Sequence, residues 1–258
     1  MSPHVRLEQD GPVARLLLDR ADKRNALDQP MWEAIPVLVD EAMARASVRV
    51  LVVGSAAPGL FCAGADIAEF AAMTPDPDWR ARNQAAIRRT QVTLARSPKP
   101  TIAAVDGDCI GGGCGLALAC DMRVASPRAR FGITPAKLGI VYPLHDTKLL
   151  VDVVGPAQAK RILYTAGLLD AAEAHRIGLA DILADDVAAA VAELTAAIAA
   201  TSPHSQQASK AIIRRILDGE SDDDTASSGQ FDASFSGADF REGVAAFLEK
   251  RKPHFPDR

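Results

Sequence analysis

Residues 101–121, TIAAVDGDCIGGGCGLALACD, combine an apolar run, a cluster of glycines and a second apolar run. The first run predicts a buried strand over Thr101–Val105 because its residues are all apolar or β-branched. Three glycines follow at 111–113, and residues 116–120 then predict the first turns of a helix. Since glycine has no Cβ, backbone N–H groups at such a turn can approach a ligand closely, and the helix dipole favours negative charge there.

The spacing of the glycines argues against a phosphate-binding loop. Four residues separate Gly107 from Gly112, but a P-loop needs lysine at the next position, where this chain has Gly113. No glycine triplet in the stretch fits the pattern G-x-G-x-x-G either. Taken alone, the stretch is also compatible with a tight strand-to-helix packing turn.

A second turn of small residues, Leu60–Phe70 (LFCAGADIAEF), follows the strand-like run Val50–Gly54. Asp66 is placed to cap the N-terminus of a helix that begins after it. Two separate turns that each offer an N–H group can together form an oxyanion hole.

The chain resembles the crotonase (enoyl-CoA hydratase/isomerase) superfamily over nearly its whole length. Five motifs occur in the order found in that family: LDRADKRNAL at 18–27, FCAGADIAEF at 61–70, KPTIAAVDGDCIGGGCGLALACD at 99–121, FGITPAKLGI at 131–140 and EGVAAFLEKRKPHF at 242–255. The resemblance implies that the N–H groups of Ala65 and Gly112 hold a thioester carbonyl oxygen. It also implies contacts with the coenzyme A part of an acyl-CoA substrate from Lys23, Arg24, Ala26, Ala63, Asp66, Ile67, Phe247 and Lys250. The basic pair Lys23 and Arg24 suits the phosphates of coenzyme A.

The same resemblance implies the architecture. We expect an α/β protein with the crotonase (ClpP-like) spiral of ββα units over residues 1–198, and an α-helical trimerisation segment over 199–258. This tail would pack against neighbouring subunits in a homotrimer or a hexamer (a dimer of trimers). In the tail, Phe240, Val244, Phe247 and Leu248 share one helical face. A ClpP-like peptidase is disfavoured because neither turn contains a serine.

Bulk composition excludes several other classes of protein. The 258 residues are 48% hydrophobic, which is enough for one sizeable core with an accessory segment. The net charge of -4 argues against a general nucleic-acid binder, and no apolar run is long enough to predict a membrane span. Since the N-terminus also lacks the apolar stretch of a signal peptide, we expect a cytoplasmic protein.

The four cysteines contain no C-x-x-C pair, which disfavours zinc and thioredoxin chemistry. Although two of them lie beside the proposed oxyanion turns, buried structural thiols are the preferred interpretation over a nucleophile. We predict no metal site and no permanently bound cofactor.

The resemblance fails at the two catalytic glutamates of the family's hydratases. The first directly follows GGGC in those enzymes, where this chain has Gly115, and the second lies four residues after the Phe of the FG motif, where it has Pro135. Since each lost acid or base costs about 10²–10⁴-fold in rate, hydratase activity is in doubt. Three interpretations stay open: an acyl-CoA enzyme whose acid/base has moved, such as an isomerase-type enzyme, a catalytically weak acyl-CoA-binding protein, or a hydratase by descent only.

His145 and Asp146 are the candidates for a moved acid/base. The resemblance points to this zone because certain isomerases and dehalogenases of the superfamily place a carboxylate a few residues beyond the LG motif, here Leu138–Gly139. Histidine is also the natural proton shuttle near neutral pH. The alternative is that His145 packs or caps and that Asp146 merely begins a helix. Tyr142 is a further candidate, as a hydrogen-bond donor to the acyl group.

Overall fold

Nine strands form two sheets in the computed structural model, which describes residues 2–256. The six-stranded sheet has the order β1-β2-β3-β4-β6-β9, and the three-stranded sheet has the order β5-β7-β8. Pairing is parallel except between β1 and β2 and between β7 and β8. The strands are β1 Val5–Asp10, β2 Val13–Leu18, β3 Val50–Ser55, β4 Thr101–Val105, β5 Asp108–Ile110, β6 Met122–Ala125, β7 Arg130–Gly132, β8 Leu169–Asp170 and β9 Ile182–Leu183.

Ten α-helices surround the sheets within the described residues, and most of them begin at an aspartate or serine that caps the first turn. Asp66 caps α2 as predicted, by accepting hydrogen bonds from the N–H groups of Ala68 and Glu69. The helices are α1 Gln29–Ala44, α2 Ile67–Met73, α3 Pro77–Ala95, α4 Gly112–Leu118, α5 Leu144–Thr165, α6 Ala171–Arg176, α7 Val187–Ala199, α8 Pro203–Leu217, α9 Thr225–Ser234 and α10 Ala238–Leu248. Two short 3₁₀ turns lie at Ala21–Lys23 and Pro135–Leu138.

The central strands are buried on both faces, which explains why they read as continuous apolar runs. In β3, Leu51 and Val53 join the main core, whereas Val50 and Val52 face the opposite side, where Val187 of α7 covers them. This alternation follows from the two-residue period of a strand. The helical periodicity of α1 is confirmed as well, since its apolar residues Met31, Trp32, Ile35, Leu38, Val39 and Ala42 are all buried.

The parallel register of β3 and β4 brings the two small-residue turns together. Leu51 pairs with Thr101 and Val53 with Ala103, so both strands run in the same direction. The carboxyl ends of parallel strands meet at one edge of a sheet, and each of these strands leads toward one of the two turns. The sheet therefore determines where the site forms.

The C-terminal part of the chain is helical, as predicted. Helix α7 packs on the six-stranded sheet, whereas α8, α9 and α10 keep many apolar side chains exposed, among them Phe231 at 66% and Phe247 at 83%. The rings of Phe231, Phe235 and Phe240 contact one another edge to face. The α/β class and the C-terminal helices of the sequence analysis are confirmed, while the boundary at residue 198 stays a prediction. No helix among residues 2–256 is long and apolar enough to cross a bilayer.

Candidate active site

The turn after β3 and the glycine turn at the start of α4 come together at Ala65 and Gly112. An ideal β-carbon placed on Gly112 would lie 3.7 Å from the backbone nitrogen of Ala65, so the two turns are in contact. Neither the Ala65 N–H nor the Gly112 N–H donates to another group within residues 2–256. Gly112 is the first residue of α4, where N–H groups have no partner inside the helix. The pair therefore has the composition of an oxyanion hole.

Two glycines allow this close approach. A β-carbon on Gly112 would lie only 2.9 Å from Cζ2 of the buried Trp32. Gly64 has a φ of +107°, and a β-carbon there would lie 2.9 Å from the carbonyl oxygen of Ile110. Either substitution would force the turns apart, because the obstructing atoms belong to backbone or to a packed indole.

The predicted coenzyme A segment, residues 23–26, is bound to the first turn through the backbone. The Ala63 N–H donates to the Arg24 carbonyl at 3.0 Å, and the Leu27 N–H donates to the Gly64 carbonyl at 2.7 Å. Arg20 contributes an ion pair with Asp66 at 2.8 Å. The structure thus brings together six residues of the predicted coenzyme A set, namely Lys23, Arg24, Ala26, Ala63, Asp66 and Ile67. Lys23 and Arg24 are exposed.

Phe247 and Lys250, the other two predicted contacts, lie at the end of α10 and are exposed. Neither residue lines the cavity that contains Ala65 and Gly112. Within one chain the structure therefore does not bring them to the oxyanion turns.

A cavity of about 250 Å³ opens beside Ala65 and Gly112. Most of its wall is apolar, and the buried residues Gln91 and Asp146 also line it, together with Tyr142. The apolar lining comes from Trp32, Ile67, Phe70, Ile87, Ile110, Pro135, Leu138, Ile140 and Val141. The volume is large enough for a short apolar group beside Ala65 and Gly112.

Asp146 and His145, adjacent in the sequence, face different surroundings. Asp146 lines the cavity, is only 4% exposed and has no hydrogen-bond partner among residues 2–256. Burial raises the pKa of its carboxyl group to about 6. His145 does not line the cavity, and burial together with the positive charges of Arg88 and Arg214 lowers its pKa.

The positions expected for the two glutamates are occupied differently. A β-carbon on Gly115 would lie 2.5 Å from Nε2 of Gln91 and 3.3 Å from the hydroxyl of Tyr142, so these two side chains fill the space. Pro135 begins a 3₁₀ turn and lines the cavity with its ring. Gln91 is not among the residues predicted from the sequence. It lies between Ile87 and Leu94 at helical spacing, which places it on the buried face of α3 together with Asn83 and Thr90.

The four cysteines are buried and free, in agreement with the preferred interpretation. Burial raises the pKa of the Cys62 and Cys120 thiols to about 12, so neither is a thiolate at neutral pH.

Asp106 and Asp108 form ion pairs with Arg128 and Arg130 at 2.6 and 2.7 Å. These pairs hold the strand before the glycine turn and leave neither aspartate in the cavity.

Comparisons with known proteins show the family and the fold of the chain. The family model described as enoyl-CoA hydratase/isomerase matches residues 8–258. The crotonyl-CoA hydratase of Syntrophomonas wolfei is 34% identical, with 98% of this chain and 97% of that protein covered. The short-chain-enoyl-CoA hydratase of Clostridium acetobutylicum is 33% identical, with 96% of each covered. A crystal structure of an enoyl-CoA hydratase/isomerase family protein from Hyphomonas neptunium superimposes with a TM-score of 0.95 at 40% identity, covering 99% of this chain and 98% of that one.

The α/β fold and the family match together define the class of protein, an enzyme of acyl-CoA thioesters. The chain belongs to the enoyl-CoA hydratase/isomerase (crotonase) family, and the resemblance noted in the sequence is thereby confirmed.

The buried Asp146 carboxyl makes a prediction for stability. Its pKa is raised from 3.8 to about 6, so folding disfavours the ionised form, and stability falls as the pH rises between these values. The amide of Asp146→Asn does not ionise, so this variant should not lose stability in the same way. Its unfolding free energy relative to the wild type should therefore increase by on the order of 2–3 kcal/mol when the pH is raised from about 4 to about 7. Urea unfolding at both pH values measures this gain. Asp185→Asn is the control, because it removes the same charge at an exposed position. An equal increase in both variants would contradict the explanation by burial.

Proposed function

We propose that this protein stabilises the enolate of an acyl-CoA thioester between the N–H groups of Ala65 and Gly112, and that Asp146 is its single acid/base. The proposal depends on one observation. Asp146, whose carboxyl group has no hydrogen-bond partner in the described part of the chain, lines the same cavity as Ala65 and Gly112, whose N–H groups have none there either. The curated relatives named above are hydratases, which supports thioester chemistry at this position.

Proton transfer through one carboxylate follows from this arrangement. The thioester oxygen would accept hydrogen bonds from Ala65 and Gly112, each worth about 2.7–4 kcal/mol to the enolate-like transition state. Asp146, once ionised, would remove a proton from the α-carbon, and the electron pair would move onto the carbonyl oxygen. The same carboxyl would return that proton to the α-carbon, or to the γ-carbon in a double-bond isomerisation.

Hydration would require two proton transfers at the same site. Water would have to lose a proton as its oxygen attacks the β-carbon, and a proton would have to reach the α-carbon. The family's hydratases use two glutamates for these steps, whereas this cavity offers one carboxyl group at Asp146. Isomerase-type proton transfer is therefore favoured over fast hydration. A catalytically weak acyl-CoA-binding protein is the second candidate, because Gly115 and Pro135 replace both glutamates.

Coenzyme A itself would lie along residues 23–26 and 63–67, with Lys23 and Arg24 near its phosphates. This placement is supported by the backbone bonds that join the two segments and by the exposure of the basic pair. The coenzyme would enter and leave as part of the substrate, so the mechanism needs no permanently bound cofactor.

A trimeric or hexameric assembly would account for the exposed apolar surface of the tail, residues 199–258. Phe231, Phe247 and Leu248 are each more than 60% exposed, which is more apolar surface than a solvated helix end needs. Assembly would also allow Phe247 and Lys250 to reach the coenzyme A bound to a neighbouring subunit.

The role of Asp146 can be tested without knowing the physiological substrate. In deuterated buffer, the enzyme should exchange the α-hydrogens of butyryl-CoA, and the rate should rise with pH through about 6 as Asp146 ionises. Asp146→Asn should lower this rate about 10²–10⁴-fold. Mass spectrometry measures the exchange, and calorimetry should show thioester affinity within about threefold of the wild type. His145→Ala is the matched control, because His145 lies outside the cavity.

The outcomes separate the candidates. If His145→Ala abolishes exchange and Asp146→Asn does not, the acid/base is His145. A wild type that binds butyryl-CoA without exchanging it would support the weak binding protein, and a wild type that binds no thioester would contradict the proposed function.

Restoring the glutamates requires a change at Gln91. Gly115→Glu alone should displace the Gln91 amide, which would lie 2.5 Å from the new β-carbon. Combined with Gln91→Ala and Pro135→Glu, it should raise crotonyl-CoA hydration about 10²-fold or more. The control carries Gly115→Gln, Pro135→Gln and Gln91→Ala, which supplies similar volume without carboxylates. Equal hydration rates in the two triple variants would show that missing carboxylates do not limit the wild type.

Assembly is measured by light scattering. We expect a mass of three or six chains, and Phe231→Asp should reduce it because a charge replaces an exposed apolar contact. Val37→Asp, at an exposed position of α1, is the control and should leave the mass unchanged. A monomeric wild type would contradict the predicted assembly.

A further inference from the structure

Arg49, the residue before β3, carries a buried positive charge without an acidic partner. It is 6% exposed and forms no ion pair among residues 2–256. Arg123, the other arginine that is buried within that range, pairs with Asp181 at 2.6 Å. Buried arginines are nearly always paired, because an opposite charge must replace the hydration that burial removes. The charge of Arg49 therefore requires an explanation.

The hydrogen bonds of Arg49 use only part of its guanidinium. Of the five N–H groups of an arginine, one on Nη2 donates to the Thr201 carbonyl at 2.5 Å, and one on Nη1 donates to the Phe255 carbonyl at 3.2 Å. The Nε atom is buried and has no partner in the described part of the chain. Carbonyl oxygens carry no net charge, so these two contacts leave the positive charge uncompensated.

Arg49 also lines a cavity of about 760 Å³. This cavity lies between the β1–β2 turn, the end of α7 and the tail after α10, and it shares no lining residue with the cavity beside Ala65 and Gly112. Among its described lining residues none is acidic, and Arg49 is the only arginine or lysine. The N–H groups of Gly11 and Ser47, which line it too, donate to no group among residues 2–256. A positive charge beside free N–H donors is the composition of an anion site.

We infer that this cavity binds a small oxyanion, a phosphate or carboxylate group, whose negative charge compensates that of Arg49. A guanidinium binds either group through two parallel N–H donors. The volume of the cavity also admits the small molecule that carries the group. The inference does not rest on the proposed function, because the acyl-CoA chemistry is assigned to the other cavity.

NMR of the arginine Nε–H groups in the ¹⁵N-labelled protein tests the site directly. The Arg49 signal is assigned by its loss in Arg49→Lys. It should shift in a saturable manner with inorganic phosphate or with acetate, with a dissociation constant of about 1 mM or below for the preferred anion. Tighter binding of phosphate assigns the site to phosphate groups, and tighter binding of acetate assigns it to carboxylates. Sodium chloride at the same ionic strength should leave the signal in place.

Thermal unfolding gives a second measurement that uses a variant without the guanidinium. The preferred anion, at about 100 times its dissociation constant, should raise the Tm of the wild type by about 5–10 °C more than that of Arg49→Met. General salt effects on stability act on both proteins and cancel in this difference. Arg45→Met is the matched control, because Arg45 lies close by in the chain, lies outside the cavity and pairs with Glu41 at 2.6 Å. This control should keep the full rise.

Three results would overturn the anion site. The first is an Arg49 signal that moves with neither anion, or that moves equally with chloride. The second is an equal rise in Tm for the wild type and Arg49→Met. The third is a rise in Tm that only the double variant Lys23→Met and Arg24→Met loses, because phosphate would then act at the predicted coenzyme A segment. Each of these results would leave the proposed function standing.

Discussion

The pairing of one short segment, residues 61–66, with two neighbours organises the whole site. On one side, the Cys62 N–H donates to the backbone carbonyl of Asp108 at 2.8 Å, and the Cys62 carbonyl accepts from the Ile110 N–H at 3.1 Å. On the other side, Leu27 forms a parallel β-bridge with Ala65. The Leu27 N–H donates to the Gly64 carbonyl, and the Leu27 carbonyl accepts from the Asp66 N–H. In a parallel bridge the central residue's own N–H points away from its partner. The Ala65 N–H is therefore directed away from Leu27, which leaves it unpaired beside the glycine turn.

Sequence patterns predicted the parts of the site that are local. The glycines at 111–113, the Asp66 cap and the apolar face of α1 each depend on residues close together in the chain, and the structure has all of them. The choice between His145 and Asp146 could not be made this way. Successive helical residues point about 100° apart, so packing alone determines which of the two faces the cavity. Gln91 was missed because its partner position, Gly115, is far away in sequence.

At Asp146, the proposed function and the stability of the fold make opposite demands. A carboxyl group with 4% exposure and no hydrogen-bond partner in the described chain would normally be replaced by an apolar or amide side chain. Burial nevertheless brings its pKa to about 6, close to the range in which a general base is most effective. The same desolvation that destabilises the fold would therefore prepare the group for the proton transfer that we propose for it.

The loss of both glutamates is consistent with the presence of Asp146. Charges that share a buried cavity raise each other's carboxyl pKa, so a second carboxylate near Gly115 would hold Asp146 in its protonated form. Tyr142 links the two positions, since it lines the cavity together with Asp146 and its hydroxyl lies 3.3 Å from the β-carbon position of Gly115. An amide and a phenol occupy that space without adding charge. If Asp146 is the base, as proposed, there is an electrostatic reason for position 115 to carry no charge, and the neutral Gly115, Gln91 and Tyr142 meet that requirement.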